Sequence, residues 1–443
     1  MPAEAALRRH AAAIFRAALK AADPAEAVRR HLRRDGEVLT AGRRRYRLSS
    51  FENIRVVGAG KASAVMAQAV EQVLGKRIGA GWINVKYGHG APLGRIHVHE
   101  CGHPVPDRAG VEGARRIAAL AAQAGPGDLV LCLISGGGSA LMPLPAAPIT
   151  LTEKQKTTRL LLGAGATIHE INAVRKHISS IKGGQLARLA APATVIALLL
   201  SDVIGDSPAV IGSGPAAPDS STFADAWAIL EKFQLVDRVP ARVRDRLQQG
   251  KAGLIKETPK DGDPALARAQ NLVVGSNRLA VDAAAGKARA LGYHTKVLST
   301  SIEGETRDVA RVHAAMLKNI RASGRPLRAP ACVISGGETT VTIRGNGLGG
   351  RNQEFALAAA IEMDGIADVV ALSGGTDGTD GPTDAAGAVC SGSTLVRARS
   401  LRLDAANFLR RNDSYHFFEA TGELLKTGPT RTNVMDVRVL LAG

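Results

Sequence analysis

The sequence predicts an α/β protein built on doubly wound, mainly parallel sheets. Short apolar runs, such as Asp128–Ile134 and Thr194–Leu200, alternate along the chain with longer segments of helical periodicity. Runs without polar alternation are typical of strands that are covered on both faces, as in a parallel sheet flanked by helices. The pattern predicts the class of fold but not the order of the strands.

The length of 443 residues exceeds what one ordinary hydrophobic core supports, which predicts two domains. The most polar, proline-containing stretch in the middle of the chain is 256–264, and we place the linker there. We therefore expect an N-terminal domain over residues 1–255 and a second α/β domain over residues 265–443.

Composition indicates a soluble globular protein with a preference for acidic partners. Hydrophobic residues make up 45% and charged residues 22%, and the formal net charge is +17. Such a charge fits either nucleic acid or small anions. The basic residues concentrate within residues 1–50, in helical patterns that lack interleaved aromatic residues for base stacking. A solvated basic face is the favoured interpretation there, and we expect no nucleic-acid partner.

The cysteines and the N-terminus predict a cytoplasmic protein. Cys101, Cys132, Cys332 and Cys390 are widely separated and form no CxxC pair, which indicates buried free thiols in a reducing compartment. Residues 1–22 have the pattern of an arginine-containing amphipathic helix rather than of a signal peptide. No apolar run approaches the length of a membrane span.

The periodic pattern predicts the following elements. Helices are expected within 4–35 (with a break at Asp23-Pro24), at 62–74, 108–124, 151–162, 168–179, within 222–252, and at 279–291, 306–323 and from 351. Strands are expected at 55–57, 82–87, 96–99, 128–134, 194–200, 272–274, 294–299, 332–334, 368–372 and 436–441.

The turn Gly58-Ala59-Gly60-Lys61 follows the first predicted strand of the N-terminal domain. It is not a P-loop, because Arg55 stands where the first glycine is needed. It is not a dinucleotide fingerprint either, since Ser63 replaces the third glycine. Lys61 at a strand-to-helix turn remains a candidate cation beside a phosphate, with a solvated lysine after a tight turn as the alternative.

A second glycine-rich turn follows the apolar strand 128–134. Its backbone N–H groups are candidates for an oxyanion or phosphate cradle, and a purely structural glycine turn is the alternative. It is not a nucleophile elbow, because Leu141 stands where the last glycine of that motif is needed. The candidate residues are Ser135, Gly136, Gly137, Gly138 and Ser139.

A predicted helix groups cations that suit a carboxylate or a phosphate. Asn172, Arg175 and Lys176 lie three and four residues apart and share a face, and Lys182 follows the end of the helix. Arg175 is the best candidate for a two-point grip on an anion. His177 is interpreted as a partnered structural histidine.

The stretch 331–363 carries the main candidates of the C-terminal domain. An apolar strand ends at Ser335-Gly336-Gly337, and a glycine-rich loop from Gly345 to Gly350 then leads into a helix. A flexible loop that delivers Arg351 to the positive end of a helix is a plausible anion site. The candidate residues are Gly336, Gly337, Gly349, Gly350, Arg351 and Asn352.

Acidic residues stand at the ends of strands, where Mg²⁺ ligands are expected: Asp202, Asp206, Glu338, Asp377, Asp380 and Asp384. Phosphoryl transfer needs a divalent ion held by only one or two carboxylates. The metal-ligand candidates are Asp202, Glu338 and Asp377, and the sequence does not choose among them.

Taken together, these segments resemble the class II glycerate kinase family. The resemblance rests on GAGKAS, HPVPD, SGGGSALM, EINAVRKHISSIKGGQLA, SDVIGDSPAVIGSGP, SGGETTVTIRGNGLGGRNQE and SGGTDGTDG, in order over about residues 55–440. It implies a cleft between a larger N-terminal Rossmann-like domain and a C-terminal domain of the MOFRL type, with its core at about 330–440. It also implies active-site roles for Lys61 and Arg351.

The function implied is transfer of the ATP γ-phosphoryl group, with Mg²⁺, to D-glycerate, giving 2-phosphoglycerate by in-line transfer. Members of the family have also been labelled hydroxypyruvate reductases, so an NAD(P)-dependent reductase is the alternative. A non-catalytic protein that binds anions or RNA is a third class. A homodimer is compatible with the sequence.

Overall fold

A computed structural model describes residues 4–443, which divide into two compact units. One unit is Pro24–Val274. The other joins the chain before Pro24 to Gly275–Gly443. This division differs from the predicted boundaries at 255 and 265.

Two long-range packings explain the difference in boundaries. Helix α1 (Glu4–Ala21) buries Leu7, Ile14 and Phe15 and packs against elements of the C-terminal unit. Residues 269–275 form a strand in the sheet of the other unit, so the chain changes unit after that strand rather than within 256–264. Local composition does not show that a segment at one end of the chain packs into a unit formed by the other end.

The unit Pro24–Val274 begins with α2 (Pro24–His31) and a small antiparallel sheet that the sequence patterns did not predict. The sheet comprises β1 (Leu32–Asp35), β2 (Val38–Ala41) and β3 (Arg44–Arg47). The elements that follow are β4 (Ile54–Ala59), α3 (Ser63–Leu74), β5 (Ile78–Lys86), β6 (His97–Cys101), α4 (Arg108–Ala122), β7 (Leu129–Ile134), α5 (Gly138–Leu141), α6 (Leu151–Gly163), α7 (Ile168–His177), α8 (Gln185–Ala190), β8 (Thr194–Leu200), α9 (Phe223–Lys232), α10 (Ala241–Lys251) and β9 (Ala269–Gly275).

The main sheet of this unit confirms the predicted Rossmann-like class. Its strand order is β6-β5-β4-β7-β8-β9, and the four pairs from β6 to β8 are all parallel. The chain runs outward from β4 to β6, returns to β7 and then continues to the other edge. The order therefore reverses between β4 and β7, and ligands in such sheets bind at the carboxyl ends of the strands at this switch point.

The other unit continues with α11 (Asn277–Ala290), β10 (His294–Val297), α12 (Thr306–Ser323), β11 (Ala331–Gly337), α13 (Arg351–Glu362), β12 (Val369–Gly375), β13 (Gly387–Ser391), α14 (Thr394–Ser400), α15 (Ala405–Arg410), α16 (Ser414–Thr421), β14 (Leu424–Leu425) and β15 (Asp436–Ala442). Its sheet has the order β10-β11-β15-β12-β13-β14. Helix α13 packs against β12 and β13 and carries nine buried residues into the core.

The second sheet is mixed, which corrects the expectation that both sheets are mainly parallel. Only the β10–β11 pair is parallel, and β15 runs antiparallel between β11 and β12. An apolar run buried on both faces predicts a central strand but not its direction. The last strand of the chain thus enters the centre of the sheet rather than its edge.

Among residues 4–443, no helix is both long and apolar enough to cross a bilayer. The four cysteines are buried and free, as the sequence predicts.

Candidate functional site

The turn that carries Lys61 lies at the switch point of the parallel sheet. Strands β4 and β7 are neighbours, so the turns that follow them meet at the same edge. The backbone N–H of Lys61 donates to the carbonyl of Gly136 at 2.9 Å, and that of Ala62 donates to Oγ of Ser135 at 3.0 Å. The two predicted glycine turns are therefore fastened to each other, with the Lys61 side chain at their junction.

The glycines of these turns are required by contacts within the protein. A Cβ on Gly58 would lie 2.2 Å from the carbonyl oxygen of Leu133, and one on Gly60 would lie 2.1 Å from Oγ of Ser135. On Gly138 it would lie 2.8 Å from the carbonyl oxygen of Ala59. Contacts this short exclude any side chain, so close packing of β4 and β7 accounts for these glycines without a ligand.

A cavity of about 760 Å³ opens beside the second turn, within the same unit. It is lined by four predicted residues, Gly137, Ser139, Arg175 and Lys182. The structure adds cationic or titratable side chains that were not among the predicted site residues: Lys154, Arg159 and His103. None of the residues 4–443 that line this cavity is acidic, so it is suited to an anion.

Lys182 anchors a chain of hydrogen bonds along the cavity wall. Its ammonium donates to the carbonyl of Ser139 at 2.9 Å and to Oγ of the same residue at 3.1 Å. Oγ of Ser139 is 2.9 Å from Oγ of Ser213, which donates to Oδ1 of Asn172 at 3.1 Å. Three predicted residues are thus joined through Ser213, a residue of the glycine-rich loop after β8.

Two neighbouring side chains of α7 do not reach the cavity. Lys176 is buried and forms an ion pair with the fully buried Asp219 at 3.0 Å, so it is not available to an anion as the shared helix face suggested. His177 is buried between the carbonyl of Ala173 and the carboxylate of Glu257, at 2.7 and 3.2 Å. It is the partnered structural histidine that the sequence predicts.

Burial and neighbouring cations shift the titration of groups around the cavity. Burial, with Lys61 and two further cationic or titratable neighbours, lowers the pKa of His103 to about 4, so its imidazole is neutral at pH 7. Burial, with Lys154 and Arg175 nearby, lowers the pKa of Lys182 well below that of a free lysine. Burial raises the pKa of Asp202, against the opposing effect of Lys61. In each case burial disfavours the charged form of the side chain, and a ligand of opposite charge would favour it again.

In the other unit, Arg351 is the first residue of α13 and lies in an ion-pair network. Its Nε and Nη2 donate to the two carboxylate oxygens of Asp436, at 2.7 and 3.0 Å, and Nη1 is 2.8 Å from Glu338. Burial alone would lower the pKa of Arg351, but the carboxylate of Asp436 raises it. The arginine is held in one orientation, and about a third of its side chain is exposed.

Asn352 and Asp380 complete this network from within the core. Asn352 is buried, donates to Asp436 and Asp380, and accepts from Oγ of Ser373 at 2.6 Å. Asp380 accepts the backbone N–H groups of Asn352 and Gln353 at the start of α13, at 3.0 and 2.8 Å. Burial raises the pKa of Asp380 to about 7, although these two hydrogen bonds favour its charged form.

The glycine-rich loop before Arg351 differs from the flexible segment that we expected. Asn412 accepts the N–H groups of Arg344 and Gly345, and Gly347 donates to the carbonyl of Arg411. The glycines in and around this loop pack against protein atoms: a Cβ would lie 1.7 Å from Asn277 for Gly336, 2.3 Å from Ile302 for Gly337, 2.2 Å from Ser414 for Gly349 and 2.4 Å from Asp380 for Gly350.

The three metal-ligand candidates have different surroundings. Glu338 is paired with Arg351, and Oδ1 of Asp377 accepts two hydrogen bonds from Thr379. Asp202 lies beside Gly136, where a Cβ would lie 2.5 Å from its Oδ2. In the loop after it, Oδ1 of Asp206 is buried and accepts no hydrogen bond from residues 4–443.

Among residues 4–443, no three acidic, histidine or cysteine side chains come together as a metal cluster. A Mg²⁺ ion that keeps its waters and binds substrate phosphates needs fewer protein ligands than such a cluster supplies. Asp206 has a buried carboxylate oxygen that accepts no hydrogen bond from residues 4–443, whereas Glu338 and Asp377 are engaged by other residues. The loop that carries Asp202 and Asp206 therefore fits the ion better than Glu338 or Asp377 does.

Comparisons with known proteins identify the family. Residues 10–248 match the family described as "Domain of unknown function (DUF4147)", and residues 331–436 match the MOFRL family. The chain is 44% identical to the D-glycerate 2-kinase of Thermotoga maritima over 88% of this chain and 90% of that protein. It is also 45% identical to a putative hydroxypyruvate reductase of Agrobacterium vitis, over 88% of this chain and 99% of that one.

A crystal structure of a glycerate kinase from Thermotoga maritima has the same fold, with a TM-score of 0.89 and 40% identity over 99% of this chain and all of that chain. The fold and the matched segments define a two-domain α/β kinase class. This chain belongs to the class II glycerate kinase family, with a C-terminal MOFRL domain.

Proposed function

We propose that the protein phosphorylates D-glycerate with ATP and Mg²⁺ and releases 2-phosphoglycerate and ADP. The observation that carries the proposal is the similarity, over nearly the whole chain, to a protein named D-glycerate 2-kinase. The cationic cavity beside the switch point supports it, because substrate and products are all anions. The position that is phosphorylated rests on the names of relatives alone.

In this proposal, transfer is in-line, and the protein acts by positioning and by stabilising charge. Lys61 and Arg351 neutralise the charge that develops on the transferred group. Arg175 and Lys182, with the backbone N–H groups of 135–139, hold the anionic groups of the ligands. These roles stay predictions.

Mg²⁺ would supply charge neutralisation for the phosphates. Asp202 and Asp206 are the residues that would hold it, and Glu338 and Asp377 remain the other candidates. Arg351 already neutralises Glu338, which makes that carboxylate a weaker ligand than one with a free oxygen.

The competing name among relatives, hydroxypyruvate reductase, is the second candidate. One assay separates the two functions. The purified protein is incubated with D-glycerate and either ATP with Mg²⁺ or NAD(P)⁺. Release of ADP that depends on glycerate supports the kinase, and a change of absorbance at 340 nm supports the reductase. NMR of the product then shows which hydroxyl carries the phosphate, and a product other than 2-phosphoglycerate would correct the proposed position.

A cytoplasmic location and a homodimer stay predictions. Light scattering during gel filtration tests the dimer by measuring the mass of the particle against the 46.0 kDa of one chain.

A further inference from the structure

Lys154 has an unusual environment for a lysine. It lies on α6, is only 5% exposed, and its side chain lines the cationic cavity. Its ammonium nitrogen is buried and forms no hydrogen bond with any of the residues 4–443. A buried ammonium group without an acceptor is unfavourable by several kcal/mol relative to water, so native proteins rarely leave one unpaired.

The two other buried lysines of this unit show what a satisfied lysine looks like here. Lys176 donates to the carboxylate of Asp219 at 3.0 Å. Lys182 donates to Ser139 at two atoms. Lys154 lacks such a partner, so an internal structural role does not explain its charge.

The groups that face Lys154 from the surrounding elements are cationic. The positive charges of Arg175 on α7 and Arg246 on α10 act on Lys154. Lys154 in turn acts on Lys182. Arg159 and His103 line the same cavity. The nearest acid in sequence, Glu153, is engaged in capping α6 through Thr150. The missing counterpart of Lys154 is therefore an anion from outside the chain.

Burial, together with Arg175 and Arg246, lowers the pKa of Lys154 to about 7. At pH 8 and without a bound anion, the amine is therefore mostly neutral. An anion in hydrogen-bond contact favours the charged form and raises the pKa again. Entry of the anion and uptake of a proton are then linked events.

We propose that Lys154 is an anion-binding residue of the cavity, which takes up a proton as it accepts an oxyanion, carboxylate or phosphate, from a small ligand. The proposal deepens the proposed kinase function, on which the choice of ligands rests, since glycerate carries a carboxylate and ATP carries phosphates. Proton uptake and hydrogen bonding to the ligand are its two physical consequences.

The test is titration calorimetry at pH 8 without ATP, in two buffers with different heats of ionisation. D-glycerate and inorganic phosphate are titrated separately, and the difference between buffers gives the number of protons taken up. We expect a substantial fraction of one proton per anion with the wild-type protein at pH 8. For glycerate, whose carboxylate is ionised at both pH values, the uptake should fall towards zero at pH 6, where the lysine is already charged. Uptake with glycerate indicates a carboxylate subsite, and uptake only with phosphate indicates a subsite for nucleotide or product.

Lys154→Met keeps an unbranched side chain and removes the terminal amine. We expect it to weaken binding of the favoured anion about 10- to 100-fold, the loss of one charge-assisted hydrogen bond, and to abolish the proton uptake. Lys156→Met, on the exposed side of the same helix, is the matched control and leaves both quantities unchanged. Equal affinity and equal uptake in Lys154→Met would overturn the proposal.

The wild-type measurement can overturn the proposal even where the variant does not fold. If neither anion is accompanied by proton uptake at pH 8, the assignment of Lys154 is wrong. Because these experiments involve no turnover, they are independent of the kinase assay: a protein that binds glycerate with uptake and releases no ADP would contradict the proposed function and leave the subsite intact.

Discussion

Arg351 and Asp436 form a two-point ion pair in which Nε and Nη2 of the arginine meet the two carboxylate oxygens at 2.7 and 3.0 Å. The register of the sheet creates the place for it. Asp436 begins β15 and lies directly opposite Gly337 of β11 on one side and Gly375 of β12 on the other. Because both neighbours lack side chains, a carboxylate at the strand end can be reached by the arginine at the start of α13.

This pair predicts how the protein responds to Arg351→Ala. Asp436 keeps hydrogen bonds from Asn352 and Arg438, so we expect a folded protein, destabilised by about 1–3 kcal/mol. If the arginine stabilises the transferred phosphoryl group, turnover falls by about 10³ or more. Steady-state kinetics and urea unfolding measure the two effects. The control is Arg399→Ala, which removes an exposed two-point pair with Asp364 and leaves turnover unchanged; near-normal turnover in Arg351→Ala would exclude the catalytic role.

Asp436→Asn tests the buried side of the same network. Arg438 is fully buried, its Nη2 is 3.4 Å from Asp436, and its Nε and Nη1 have no hydrogen-bond partner among residues 4–443. Among residues 4–443, Asp436 is the only carboxylate that forms an ion pair with Arg438. Asp436→Asn therefore leaves a buried charge uncompensated, which typically costs about 3–5 kcal/mol. Urea unfolding should show this loss.

A second substitution shows whether the uncompensated charge is the cause. Arg438→Met in the Asp436→Asn background removes that charge, and we expect part of the lost stability to return. If the double variant is destabilised by the sum of the two single effects, the two side chains are independent and the interpretation fails.

Local sequence predicted more of the fold than of the site. Alternating apolar runs and helical segments identified the parallel sheet of the Pro24–Val274 unit, and the glycine turns after β4 and β7 were placed correctly. The position of α1 in the C-terminal unit and the entry of β15 between β11 and β12 were not predicted, because both depend on contacts between the ends of the chain. Asp436, 85 residues from Arg351, was missed for the same reason.

The cationic cavity also contains residues that no sequence motif identifies. Lys154 stands within an ordinary amphipathic helix, and its significance lies in burial without a partner. The glycines were interpreted as a phosphate cradle and as a flexible loop, with a purely structural turn as the alternative after β7. The structure shows close contacts to them from the protein itself, and their binding of phosphate stays a prediction. A glycine in a sequence can indicate a position without room for a side chain, but it does not show whether a ligand or the protein itself occupies the space.

Gly60→Ala is expected to be strongly destabilising, because a Cβ there lies 2.1 Å from Oγ and 2.7 Å from the backbone nitrogen of Ser135, at a φ of 152°. Overpacking against a backbone atom that cannot move away costs about 3 kcal/mol or more. Gly286→Ala on α11 is the matched control: no atom lies within 4 Å of its Cβ, and we expect a gain of about 0.5–1 kcal/mol. Urea unfolding of both variants measures the difference, and equal effects would show that the packing of β4 against β7 is looser than described.

Asn412 holds the loop before Arg351, and its removal is expected to release that loop. Its Oδ1 accepts the N–H groups of Arg344 and Gly345, at 2.7 and 3.0 Å, and its Nδ2 donates to Glu354 at 2.9 Å. Asn412→Gly removes these bonds and tolerates the φ of 56° at this position. We expect faster hydrogen exchange at residues 344 and 345 and a loss of about 1–3 kcal/mol. Asn319→Ala, at the end of α12, is the control, and unchanged exchange in Asn412→Gly would mean that other contacts hold the loop.

Lys154 predicts a distinctive dependence of stability on pH. Its pKa is about 7 in the folded protein and about 10.4 in the unfolded chain. Between these values the unfolded state binds more protons, so this residue makes the free energy of unfolding rise with pH, by at most about 1.4 kcal/mol per pH unit. Below pH 7 both states are charged, and the full penalty of the buried ammonium applies.

Lys154→Met lacks this contribution. In buffers without phosphate or carboxylate, we expect the variant to be more stable than the wild type at pH 7, with an advantage that shrinks as the pH rises to 9. Urea unfolding at pH 7, 8 and 9 measures the difference between the two proteins, in which the titration of most other groups cancels. A difference that does not change with pH would show that the ammonium of Lys154 keeps its ordinary pKa in the folded protein, and that the protein itself already stabilises the charge.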